Sequence, residues 1–208
     1  MPVGLILVRP SEETMDQELA RKQAERHLLI KELVAEGEAL ASERVDRYLA
    51  ARHHGIVANT PFAPASAECL KLFRDGHYYG AISLSQAVGE ALVRHMCRSN
   101  QWKAADNFEE NVRKLTQRNF IDPPIEAALL RLWDKRDDYH HLNPTVAKDR
   151  GELESLALAK IQALGEVERF AFAWSPSETP GAIKLLRPQY WPDKKDNRVG
   201  VFLRNPSV

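Results

Sequence analysis

The sequence predicts an all-α chain: an antiparallel up-and-down helical bundle with a long N-terminal helix and an irregular C-terminal tail. Three observations carry this. The twelve prolines leave the long windows 11–60, 65–122, 125–143 and 145–175 uninterrupted, and proline is excluded from helix interiors by its missing N–H and its steric clash. Apolar residues inside those windows recur at helical spacing. Capping residues, glycines and prolines bracket the windows where helices should begin and end.

The first window carries the stripe Ile30, Leu33, Val34, Gly37, Leu40, Ala41, Val45, Tyr48 and Leu49, and closes on Arg52-His53-His54-Gly55. Basic groups in a last turn followed by glycine form a helix stop. The second window opens near Ser66 and is divided by Gly76. From His77 to Arg98 the sequence predicts a helix of roughly 33 Å. Between His77 and Arg94 its only formal charge is Glu90, which suits a central helix contacted on most sides.

Asp106-Asn-Phe-Glu109 has capping-box spacing and predicts a shorter helix running toward Arg118. Asp122-Pro123 supplies an N-cap and a first-turn proline. The helix that follows should present Ile125, Leu129, Leu132 and Arg136 on one stripe and stop before Asn143-Pro144. Asp149-Arg-Gly-Glu152, a second capping box, leads into Leu153, Leu156, Ala157, Ile161, Leu164, Val167, Ala171 and Trp174. The expected organisation is an N-terminal segment 1–60, a bundle 61–175 and a proline-rich tail 176–208 packed on the bundle. The similar strings Val3-Gly-Leu-Ile-Leu7 and Val199-Gly-Val-Phe-Leu203 are candidates for a small ladder, or for two unrelated extended pieces.

Twenty-nine basic residues balance 29 acidic ones among 208. A globally basic nucleic-acid binder is thereby disfavoured, while a local basic site is not. Net neutrality also favours association. The two cysteines, Cys69 and Cys97, form no CxxC, so they read as small buried apolar side chains rather than a disulfide framework or zinc site. Nor does the spacing of His53, His54, Cys69 and His77 support a metal. No window has the roughly 20 apolar residues of a membrane span, and the apolar residues 3 to 8 are too few for a signal-peptide core. A cytoplasmic chain without membrane association, metal or cofactor is expected.

No glycine-rich phosphate loop, His-Glu-x-x-His or Gly-x-Ser-x-Gly occurs. What remains is Arg136-Asp-Asp-Tyr-His-His141. Cleaving RNA without a metal needs a base for the 2′-hydroxyl proton and an acid for the leaving oxygen, and histidine can serve as either near neutral pH. A guanidinium meets the charge that builds on the phosphoryl oxygens with two parallel donors. Asp137 and His141 are four apart, as are Arg136 and His140, so on a continuous helix each pair shares a face. Which histidine acts is therefore open.

Here the sequence resembles the HEPN family (higher eukaryotes and prokaryotes nucleotide-binding). Its signature is an arginine, usually followed by Asn, Asp or His, with a histidine after four to six intervening residues. Arg136 and His141 match with four between them, and Asp137 fills the polar position. An apolar helix precedes the motif (Leu129, Leu130, Leu132, Trp133), and the stretch from Tyr78 to Glu90 looks like the family's core helix ending in an acidic residue. Arg21 with His27 and Arg47 with His53 share the spacing, but lack the polar residue and the upstream helix. The likeness spans roughly residues 65–175. It implies a helical bundle and a metal-independent endoribonuclease, such as a toxin or defence effector, with RNA as substrate. Arg136 would stabilise the phosphoryl transition state, His141 would be acid or base, and Asp137 would orient it. The resemblance also implies a homodimer whose two motifs meet in a cleft that Glu90 could line, and it allows a protein antitoxin or effector partner.

Other readings stand beside this one. Arg136 to His141 also read as basic residues at a helix end, interacting with the macrodipole like Arg52 to His54. Tyr139 could stack on a base or be a packed aromatic. Glu90 could be an ordinary carboxylate paired with an arginine. The tail residues Lys184, Arg187, Lys194, Lys195, Arg198 and Arg204, interleaved with Tyr190, Trp191 and Phe202, could follow an RNA backbone or form a packed strap. The same bundle without catalysis would be a module binding nucleotide, RNA or a protein, with the long first helix as its contact element.

Overall fold

The computed structural model describes residues 15–51, 54–146, 148–178, 182–192 and 199–204. Helix α1 (Met15–Ala51) runs through two compact units, one ending at Ser42 and the other beginning at Glu43. In the first unit, the described residues are the part of α1 that carries exposed Leu19, Leu29, Ile30, Leu33 and Val34. Arg52 and His53 of the expected stop lie outside the described residues.

The second unit contains the last turns of α1, then β1 (Ile56–Ala58), α2 (Ala63–Arg74), α3 (Tyr78–Ser99), α4 (Phe108–Gln117), α5 (Pro123–Trp133), α6 (Arg136–His141), α7 (Arg150–Ala171), β2 (Trp174–Pro176), β3 (Ile183–Leu185) and β4 (Val201–Leu203). It is predominantly helical, as the proline windows require. α3 is the central helix, touching α2, α4, α5, α6 and α7. Ala81, Ile82, Leu92, Val93 and Met96 along it are wholly buried. A Cβ at Gly89 would lie 2.3 Å from Leu132 Cδ2, so glycine is what lets α3 approach α5 this closely.

Two of the expected caps are formed as read. The Asp122 carboxylate accepts from Ile125 N at 3.1 Å and Asp149 from Glu152 N at 3.0 Å, each satisfying one orphan N–H of a first turn. Two starts are displaced. α4 is capped by Asn107, whose Oδ1 accepts from Glu110 N at 2.8 Å, one residue after the expected Asp106. α2 begins at Ala63 rather than near Ser66, because Pro64 fits a first turn where no N–H is needed. Gly76 does divide the second window. It sits at φ 79°, with Gly76 N bonded to Phe73 O and His77 N to Leu72 O, the paired bonds of a Schellman stop.

The C-terminal third differs more from expectation. α7 ends at Ala171, and Trp174 starts β2, which pairs antiparallel with β3. β4 pairs antiparallel with β1, Ile56 opposite Leu203 and Ala58 opposite Val201. The string at 199–203 thus has a partner that the sequence reading did not name, and Val3 to Leu7 lie outside the described residues. The tail aromatics pack on the bundle. Tyr190 and Trp191 are buried, the Tyr190 hydroxyl donates to Phe120 O at 3.2 Å, and Arg187 lies 3.6 Å from the Phe170 ring centroid. Arg204 is not a solvated tail charge. It is buried between α2 and α7, bonded to Glu168 Oε1 at 2.5 Å and to Ser66 Oγ. Lys194, Lys195 and Arg198 lie outside the described residues.

Candidate functional site

The helix that starts at Pro123 does not run through the motif. α5 stops at Trp133, Asp134 leaves the helical region, and Lys135 turns left-handed at φ 56° before α6 begins. The carbonyls freed by this break are caught from two sides. Gln86 of α3 donates Nε2 to Asp134 O at 3.0 Å. Lys160 of α7 donates Nζ to Arg131 O at 2.5 Å and to Asp134 O at 2.6 Å. A buried ammonium on the last carbonyls of a helix also meets the negative end of its dipole. Burial nonetheless lowers the Lys160 pKa to about 8, because the charged form has lost its water. The sequence reading missed Lys160. It reads as one polar residue on the apolar face of α7, and only the break at 134 tells it what to bind.

α6 is a short helix of six residues held between two left-handed residues, Lys135 and Leu142. Its loop is tied back by Asp138, whose Oδ1 accepts from Asn143 Nδ2 at 3.1 Å and Thr145 Oγ1 at 2.9 Å. These bonds hold the Asp138 carboxyl below its ordinary pKa. Leu142 has φ 49° and its side chain is 66% exposed, so strain is present with little burial to offset it. Replacing Leu142 by glycine should therefore raise stability by about 1 kcal/mol, read as a higher urea midpoint with an unchanged slope.

Arg136 donates Nη1 to Asp137 Oδ1 at 3.0 Å, and its guanidinium lies 4.9 Å from the Trp133 ring centroid. Trp133 in turn stacks on Phe108 at 4.1 Å with the rings 10° from parallel. One helical turn after Arg136 comes His140, while His141 lies about 140° round the helix from Arg136. The His140 imidazole is held below its ordinary pKa by partial burial, then by Arg136 and His141, against the opposite pull of Asp137 and Glu90. Arg136 and Asp137 are thus bonded to each other, and His140 stands one turn on, within the electrostatic reach of both and of Glu90. His141 shares a face with Asp137 instead.

Tyr139 and Glu90 take the ordinary roles open to them. Tyr139 is 3% exposed, and its ring lies 6.1 Å from that of Tyr79, so it offers no open face to a base. Glu90 accepts from Arg94 at 2.7 Å. Beside the motif an open groove of about 370 Å³ is lined by Glu109, Leu130, Trp133, Asp134, Lys135, Arg136, Asp137 and Asp138. Among the described residues no group of three or more His, Cys, Asp or Glu is placed to hold a metal ion. Cys69 and Cys97 are unpaired and fully buried; burial pushes both thiols above their ordinary pKa, Cys97 to about 11. No described helix is long and apolar enough to cross a membrane. Comparison with known proteins adds no relative: no protein-family model, curated protein or solved structure matches the chain.

Proposed function

We propose that the chain is a HEPN-like, metal-independent endoribonuclease acting in the cytoplasm as a toxin or defence effector. The observation that carries the reading is that Arg136 and His140 stand one turn apart, with the signature's His141 next to them, on a short helix set between two left-handed residues. Strain of this kind concentrates at functional sites. A His140 held neutral at pH 7 is suited to take the 2′-hydroxyl proton. The 2′-oxygen then attacks the adjacent phosphorus, the bond to the 5′-oxygen breaks, and that oxygen collects a proton from an imidazolium. The products are a 2′,3′-cyclic phosphate and a 5′-hydroxyl. Arg136 stabilises the phosphoryl charge, releasing Asp137 to do so, and His141 or the second motif of a homodimer supplies the acid.

The test is purified protein incubated with mixed RNA in excess EDTA and resolved on a denaturing gel. Wild type should cleave and leave cyclic phosphate ends. Arg136→Ala and His140→Ala should each lose at least 100-fold in rate. Loss in His141→Ala with His140→Ala active would reassign the base. Cleavage that needs a divalent cation would end the reading.

One observation favours a second reading. The groove beside Arg136 carries four carboxylates against two cations, which repels a phosphate backbone and suits a protein partner with basic side chains. In that reading the bundle is a non-catalytic HEPN-like module, folded wild type cleaves nothing, and Arg136→Ala weakens binding alone.

A further inference from the structure

The stretch of α1 before Ser42 combines two features that neither the ribonuclease reading nor the fold of the second unit uses. The first is an apolar stripe left in solvent. Leu29, Ile30, Leu33 and Val34 are 50%, 49%, 66% and 55% exposed, and Leu19 is 56% exposed. At 100° per residue, Leu19, Ile30, Leu33, Val34, Gly37, Leu40 and Ala41 fall on one face. The exposed apolar cluster from Leu29 to Val34 is surface of the kind that marks an association site.

The second feature is a reversal of charge about the middle of that stripe. Residues 21–31 carry Arg21, Lys22, Arg26 and Lys31 against Glu25 alone, a formal +3. Residues 32–42 carry Glu32, Glu36 and Glu38 with no cation, a formal −3. Each segment has eleven residues, and the boundary between Lys31 and Glu32 lies within the apolar cluster 29–34.

We infer that α1 is a dimerisation element, and that its occupant is the same helix of a second copy running antiparallel, with the two-fold axis between Lys31 and Glu32. In that register residue i faces residue 63 − i. Ile30 meets Leu33 and Leu29 meets Val34, each twice by symmetry, as an isologous contact requires. The basic segment of each copy lies along the acidic segment of the other for its whole length. A parallel pair would set like charge on like charge throughout, a penalty that fixes orientation even where the attractive pairs are partly screened. The apolar layer at the axis provides the association, and the charge reversal selects the antiparallel direction. This contact does not depend on the ribonuclease reading and is separate from any meeting of the Arg136 motifs.

The experiment uses full-length chains carrying single cysteines introduced at exposed or half-buried α1 positions, the native Cys69 and Cys97 being fully buried. Gln23→Cys and Leu40→Cys chains are mixed, equilibrated at micromolar concentration, oxidised mildly and run on a non-reducing gel, with mass spectrometry of the linked peptides. The expected result is a dominant 23–40 link in the mixture and little 23–23 link from Gln23→Cys alone. Adding Leu33→Asp to both chains should reduce the 23–40 link at least tenfold. Position 33 is exposed, so the variant should keep its helical circular dichroism and melting temperature. Equal 23–23 linking would overturn the antiparallel register. Absence of any α1 link, from a chain that sediments as a monomer, would overturn the dimer. A 23–40 link indifferent to Leu33→Asp would also overturn it.

Discussion

Replacing Arg204 by methionine should cost about 3–5 kcal/mol of unfolding free energy, the usual penalty for breaking a buried ion pair from one side. Arg204 and Glu168 have side chains 3% and 2% exposed. Arg204 donates to Glu168 and Ser66 through Nη2 and to His54 O through Nη1 at 3.0 Å. Ser66 donates its hydroxyl to the same Glu168 oxygen at 2.5 Å. The substitution keeps most of the arginine's apolar stem but strands a carboxylate between α2 and α7, with one hydroxyl as its remaining partner. It also frees the His54 carbonyl that Arg204 fixes at the entry to β1. Because Arg204 N bonds Gly55 O at 2.9 Å, the loss should reach the β1–β4 ladder and raise amide exchange at Val57 and Ala58. Urea unfolding checks the magnitude. The Arg204→Met, Glu168→Gln double variant should be less destabilised than the sum of the singles, since each single leaves a charge or donor unpaired. Additive losses would mean that the pair contributes nothing beyond its packing.

That ion pair illustrates what the sequence could and could not disclose. Helices were legible because their evidence is local. Asp122 and Asp149 sit three residues before the N–H groups they cap, Gly76 immediately follows the turn it closes, and the apolar face of α7 repeats every turn. Arg204 and Glu168 are 36 residues apart and Arg204 and Ser66 are 138 apart, so no window contains their pairing. In sequence, Arg204 is one more cation of a basic tail. The β1–β4 pairing was missed for a related reason. Ile56–Ala58 has only three residues, too short for a period-two signal, and its partner lies at the other end of the chain. The candidate site was legible as a list and not as a geometry. Arg136, Asp137, His140 and His141 are read directly, and the two four-residue relations survive because α6 is itself helical. The break at Asp134 is invisible in the run from Leu129 to His141, which keeps helical period throughout. The carbonyls it frees are caught by Gln86 and Lys160, residues on two other helices.

Lys160 therefore supports a second test of large effect. Its folded-state pKa is lowered from 10.5 to about 8 by burial, so from pH 8 to 10.5 the unfolded chain holds a proton that the folded chain has released. Stability must then rise with pH in this interval, by up to about 1.4 kcal/mol per unit for one proton. The geometry lets the folded chain follow the titration. A neutral amine keeps two N–H donors, enough for the carbonyls of Arg131 and Asp134 that the ammonium contacts. Other buried groups work against the rise. The Cys97 thiol is pushed up to about 11 and the Tyr78 phenol to about 12, so each contributes stability that is lost as pH climbs above its unfolded value of about 9 or 10. The measurement that isolates the lysine is the difference between wild type and Lys160→Met, followed by urea unfolding from pH 6 to 10, since Cys97 and Tyr78 titrate alike in both. Wild type should gain on the variant steadily above pH 8 and run parallel to it below pH 7. A flat difference across that range would mean that Lys160 stays charged while folded, its ammonium sustained by the helix end it caps.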